Sequence, residues 1–177
     1  MEYLDKLLGT YSQTFDLQRD YRIGQLTADA YGYFFTCSEK FVLSPKANLW
    51  SIHGYEHILF IRTDTLTLQN LTEARSLMEH EMIRDLVCRG NRFPEKDHMY
   101  SYLTFAFLCQ NKPMPEVIRA VEQFRYEKDF LLTLRGHAEG HIICMDLSGG
   151  KAYANKKARH LISFYEETFK KEGSNET

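Results

Sequence analysis

Two strings of one form, His53-Gly54-Tyr55-Glu56-His57-Ile58 and His137-Ala138-Glu139-Gly140-His141-Ile142, stand 84 residues apart, and each runs on into apolar residues. Nothing else in the chain constrains its fold as much. Carried on without a gap, the same offset lays Ala74-Arg75-Ser76-Leu77-Met78 over Ala158-Arg159-His160-Leu161-Ile162. Six of the 26 positions from 53 to 78 are then identical. The first stretch is β-type in composition and the second has helical spacing. The pattern predicts a ββα unit present twice, over about 45–88 and 129–172, related by a pseudo-two-fold axis. Two copies are too few for a solenoid.

Within each string the histidines bracket three residues, one of them glycine. On an extended strand the bracketing pair would sit roughly 13 Å apart, too far to share an ion. The glycines, with β-type residues on both sides, instead predict a three-residue hairpin loop at 54–56 and another at 138–140. The two histidines of each bracket would then face each other across the strands.

The rest of the chain supplies helices and further strands. Leu4, Leu7, Leu8, Tyr11 and Phe15 predict an amphipathic helix over 2–18. Residues 31–37 and 40–44 read as strands ended by Ser44-Pro45, and 47–53 and 57–62 as the first hairpin. A helix follows over 68–88. A long aromatic strand spans 98–109, with Leu103, Phe105 and Phe107 on its core face and Tyr100 and Tyr102 on the other. Pro115 opens a helix to about 126. The second hairpin uses 129–135 and 141–147. Asn155 is placed as N-cap of a last helix over 156–171. The expected fold is α+β: a mostly antiparallel or mixed sheet packed by helices on one face, in a single domain over 1–172 with a disordered tail at 173–177.

Composition narrows the function classes. A net charge of −2 with interspersed signs gives no global attraction to nucleic acid or anionic membrane. No apolar run approaches the 18 residues of a membrane span, and the first residues carry acids rather than a signal peptide. Cys37, Cys88, Cys109 and Cys144 lack metal or redox spacing, which fits buried thiols in a reducing cytoplasm. The 11 Tyr and 12 Phe are a high count; part of it serves the core, and Tyr also suits a surface that meets a partner.

Three constellations could carry chemistry. His53, His57, His137 and His141, with Glu56 or Glu139 beside them, could hold zinc in a small metal-dependent hydrolase. Lys151, Lys156, Lys157 and Arg159 flank the start of the last helix and could hold a phosphate, another anion or nucleic acid there. Asp64, Asp146, Glu39 and Lys40 have the residue types of a metal-dependent nuclease. No nucleophile elbow and no P-loop occur. The favoured reading is a non-enzymatic binding or protein-interaction module, with no resident cofactor, that forms a homodimer through aromatic sheet or helix surface.

Overall fold

The computed structural model describes residues 2–40 and 50–173. Its elements, in order, are α1 (Tyr3–Tyr11), β1 (Asp16–Ile23), β2 (Leu26–Lys40), β3 (Trp50–Thr63), α2 (Leu68–Leu77), a π-helical segment (Met78–Val87), β4 (His98–Cys109), α3 (Pro115–Gln123), β5 (Glu127–Asp129), β6 (His137–Asp146), β7 (Lys151–Ala154), a 3₁₀ segment (Lys156–Leu161) and α4 (Ile162–Gly173).

Seven strands form one mixed sheet in the order β1-β2-β3-β4-β6-β5, with β7 also on β6. Four of the six pairings are antiparallel; β3–β4 and β4–β6 are parallel. The fold is α+β, as expected, but helices cover both faces. On the first face Leu59, Leu103, Phe105 and Ile142 pack under Met78, Met82 and Val121 of the α2–π helix and α3. On the second, Ile58, Phe60, Ala106 and Ile143 pack under Leu4 and Leu7 of α1 and Tyr165 of α4. This explains why β4 and β6 read as nearly unbroken apolar runs: parallel strands in the middle of a sheet are covered twice.

The two expected hairpins do not form. Residues 50–63 are one strand and 137–146 are another; both pair parallel with β4, β3 in even register from Gly54 onward after an irregularity at His53/Gly54. The glycines inside the brackets serve close packing instead of turning. A Cβ at Gly140 would stand 2.7 Å from Met78 Sδ and 2.8 Å from Tyr126 Cβ, and one at Gly54 would enter the Tyr100 ring. The turn that precedes β6 lies at 130–136, where Leu131, Leu132 and Thr133 all adopt positive φ. It takes up most of the stretch expected to be a strand over 129–135.

The parallel register also separates the two strings. Through β4, His57 stands level with Leu103 and Gly140, and Ile58 with Thr104 and His141. The sheet therefore aligns the strings at 83 residues, one short of the 84 that matches their letters. On a strand one residue is a change of face. His57 faces the α2–π side, while His141 faces the α1–α4 side.

Other boundaries shift for local reasons. The first helix stops at Tyr11. Residues 12–14 turn the chain, with Ser12 Oγ donating to Gly9 O at 2.8 Å. Phe15 reaches the Tyr11 ring across that turn rather than along a helix. The strands expected over 31–37 and 40–44 fall in β2 as far as residue 40; the remainder, the Ser44-Pro45 break and 47–49 lie outside the described residues. Asn155 does not cap by its side chain. It is buried, and it accepts from Ile142 N at 3.0 Å and donates to Gly140 O at 2.9 Å and Phe124 O at 3.2 Å. It thereby fills the gap on the outer edge of β6 between β5, which pairs with 137–139, and β7, which pairs with 143–146.

Candidate functional site

On the first face, at the β1–β3 end of the sheet, alternation sets Tyr33 of β2 opposite His57 of β3 and Phe35 opposite Tyr55, with Tyr31 and His53 two residues further along their strands on the same face. Asp20 takes φ 50, and Tyr21 beyond it lies flat on Tyr31 with ring centres 4.2 Å apart. The result is a row of nearly parallel rings across four strands. Tyr31–His57, His57–Tyr55 and Tyr55–His98 are each inclined by only 12–14° at 5.9–6.5 Å.

Arg89 comes onto this row from the end of the π-helix. Cys88 N–H bonds to Ile83 O, and Gly90 N–H closes the segment on Arg84 O at 2.8 Å. Arg89 and Gly90 both take positive φ, 49° and 77°. The left-handed conformation suits glycine and costs an arginine about 1 kcal/mol. Here it sets the guanidinium 5.1 Å above the Tyr55 ring and 3.5 Å from the Tyr33 hydroxyl. A π-helix and a left-handed non-glycine residue both mark functional positions more often than chance.

Tyr31, Tyr33, His57, Leu86 and Arg89 line a cavity of about 440 Å³, with Asp16, Gln18 and Asp85 also on its wall. A second cavity, about 430 Å³, shares Leu86 and Arg89 and extends to Tyr55, Phe93 and Glu95. Volumes of this order suit a small-molecule ligand. His57 is 2% exposed. Its Nδ1 pairs with the Tyr31 hydroxyl at 2.8 Å, and its buried Nε2 has no hydrogen-bond partner. Burial, with Arg89 and His98 adding to it, pushes the His57 pKa down to about 3. Burial likewise holds the Tyr31 phenol protonated far above its ordinary value.

Of the acids nearby, Asp16 is exposed at the cavity rim without an ion pair among the described residues, while Glu95 and Asp85 are engaged. Glu95 accepts from the Tyr55 hydroxyl and pairs with His53. Burial raises its pKa, but those two bonds outweigh it and hold it below the usual carboxylate range. Asp85 is held by Arg84 at 2.6 and 2.7 Å. Among the described residues no carboxylate lies within ion-pair distance of Arg89.

The four histidines expected as ligands are not brought together. His53 and His57 lie on the first face. His137 opens β6 beside Tyr100 and Asp129. His141 lies on the second face, stacked on Tyr102 at 4.8 Å and 3.4 Å from Glu139. Among the described residues no three His, Cys, Asp or Glu side chains are grouped to hold an ion.

The cations of the last helix also disperse. Lys157 bonds to Glu139 at 2.5 Å and Glu127 at 3.0 Å. Lys151 lies 5.5 Å above Tyr153, and Lys156 and Arg159 are exposed. Lys156, Lys157 and Arg159 occupy a 3₁₀ segment rather than the expected α-helical start, and Lys151 opens β7. Asp146 caps the β6–β7 turn, accepting from Ser148 N, Ser148 Oγ and Gly149 N. The side chains of Glu39 and Lys40 lie outside the described residues. Cys88, Cys109 and Cys144 are buried as expected, whereas Cys37 is exposed.

Tyr31, Tyr33 and Arg89 do not emerge from motif reasoning. A signal for the tyrosines exists: Tyr31-x-Tyr33-x-Phe35 and His53-x-Tyr55-x-His57 each alternate with period two. Arg89 has no such signal, because its position depends on the π-helical pitch.

A family model for a domain of unknown function, DUF8052, matches residues 1–167, and the chain belongs to that family. No curated protein and no solved structure matches it. No helix among the described residues is long and apolar enough to cross a membrane.

Proposed function

We propose that this member of the DUF8052 family is a non-enzymatic binding module, and that its ligand seats in the cavity between the Tyr31–Tyr33–His57 row and Arg89. One observation carries the reading: His57, whose ring borders a cavity large enough for a small molecule, keeps a buried ring nitrogen without a partner. A buried polar atom without a partner costs about 1–3 kcal/mol. A ligand that bonds to Nε2 recovers that cost.

The pKa supports binding over acid–base catalysis. A general base works best with a pKa near the operating pH, and His57 falls well below it. A zinc hydrolase on the four histidines would need about three protein ligands around one ion. The opposite facing of His57 and His141 gives that alternative less support.

Ring-nitrogen NMR of histidine-labelled protein tests the reading. Titrating a library of small fragments is expected to move the His57 Nε2 signal, with no such shift in other histidines. A library that moves no His57 resonance removes the proposal.

A second copy of the chain is the proposed macromolecular partner. Its support is the turn at 130–136, where Leu132 is 92% and Leu134 81% exposed. Isolated exposed leucines are ordinary; two this open and two residues apart, on a turn with three positive-φ residues, favour a covering partner. The cysteine spacing supports placing the protein in a reducing cytoplasm.

A further inference from the structure

Arg89 and the groups around it determine what chemistry the cavity selects. From the donor groups gathered at the Tyr31–His57–Arg89 cavity, and resting on the binding reading, we infer that its ligand is a small organic carboxylate with a flat, apolar body.

Three features point the same way. The first is the His57 tautomer. The Tyr31 phenol is a good donor and the ring nitrogen of a neutral imidazole a good acceptor. The 2.8 Å pair is therefore Tyr31 O–H donating to His57 Nδ1. The ring proton then resides on Nε2, so the buried atom left without a partner beside the cavity is an N–H donor.

The second is Arg89. It has five N–H donors in a planar fork, and one of them reaches the Tyr33 hydroxyl at a long 3.5 Å. Its charge is unanswered within ion-pair distance among the described residues, since Arg84 takes Asp85 and His53 and Tyr55 take Glu95. A guanidinium fork matches a carboxylate in two parallel bonds. A cationic ligand would meet the same guanidinium as a like charge, although the tyrosines alone would suit one.

The third is the wall. Tyr31, Tyr33, His57, Leu17 and Leu86 line the cavity with rings and apolar side chains, and of its two acids Asp85 is already paired with Arg84 while Asp16 lies exposed. Tyr21 already lies face to face on Tyr31 at 4.2 Å, so the row accepts a stacked plane. A ligand with only a charged group, such as inorganic phosphate, would leave this apolar surface uncovered.

The test is a calorimetric and NMR comparison on the full chain with four probes: benzoate, benzamide, inorganic phosphate and phenyltrimethylammonium. The proteins are the wild type, Arg89→Gln and His57→Phe, each checked for a cooperative melt. Arg89 is exposed, so its replacement leaves the core intact. Benzoate is expected to bind and to shift the His57 Nε2–H and Tyr33 signals. Arg89→Gln should weaken it about tenfold or more, the usual effect of losing a charge-assisted hydrogen bond. Benzamide, phosphate and the ammonium should bind more weakly than benzoate. If benzamide or the ammonium binds as well as benzoate and His57→Phe abolishes it, the carboxylate assignment falls while the pocket reading stands. Benzoate binding that is unchanged in Arg89→Gln, or phosphate binding that exceeds it, also overturns the assignment. If no probe binds and no fragment moves His57, both fall together.

Discussion

His57 pairs two properties that selection for stability alone would not keep: nearly complete burial and an unpartnered N–H. Replacing it with phenylalanine removes the unsatisfied donor and keeps a flat ring against Tyr31 and Tyr55. The half-buried Tyr31 hydroxyl keeps a route to water. The expected result at neutral pH is a Tm equal to wild type or raised by about 2–4 °C, measured by calorimetry, together with loss of ligand binding. The pH dependence should change as well. Unfolded histidine takes a proton near its ordinary pKa, while folded His57 does so only at about 3. Between those values the unfolded state binds the extra proton. Stability is therefore unpenalised above the ordinary value and falls by about 1.4 kcal/mol per pH unit as pH drops through that window. His98 and His141, also lowered chiefly by burial, add to the slope. Urea unfolding at pH 7 and pH 5 should show a smaller loss in His57→Phe than in wild type. An equal loss would mean that His57 is protonated normally in the fold.

At the scale of elements, Asn155 ties β6, β7 and the end of α3 with three side-chain hydrogen bonds. Asn155→Ala leaves three buried backbone groups without those partners, and chemical denaturation should report a loss of about 3 kcal/mol. A loss below about 1 kcal/mol would show that water or relaxation replaces the side chain. Gly140→Ala should cost about 1–3 kcal/mol by overpacking against Met78 and Tyr126. Both residues also show what could be read from the chain. The long aromatic strand is legible to its ends, 98–109, because its apolar faces alternate and prolines follow it. The helix over 68–88 is legible as well, but not its change to π pitch at Met78, which side-chain periodicity does not encode. Gly140 and Asn155 mislead because their common local roles, turn and cap, are overridden by tertiary contacts. The candidate cavity was half visible. The alternation of Tyr31-x-Tyr33 and His53-x-Tyr55-x-His57 was there to read once the brackets were taken as strands. Arg89 was not, since only the pitch of the preceding helix aims it.

For the whole molecule, the sheet is covered on both faces, so among the described residues the leucine turn at 130–136 is the apolar surface the fold leaves most open. If copies associate there, Leu132→Ser with Leu134→Ser should convert a dimer to a monomer in light scattering without lowering Tm by more than about 2 °C. A wild-type monomer at all concentrations would end the dimer proposal. The closed gap on β6 bears on how such copies could meet. Tyr126 O accepts from Gly140 N at 2.8 Å, and Asn155 holds Ile142 from the other side. Between β5 and β7 no backbone row is left for a foreign strand to template on. The opposite edge, β1, carries Asp16, Arg19, Asp20 and Arg22, with Asp20 twisted out of the extended region. Charge and twist of this kind deter edge-to-edge growth. In a chain rich in tyrosine and phenylalanine, the filled gap on β6 and the charged, twisted β1 both work against runaway strand addition at those two places.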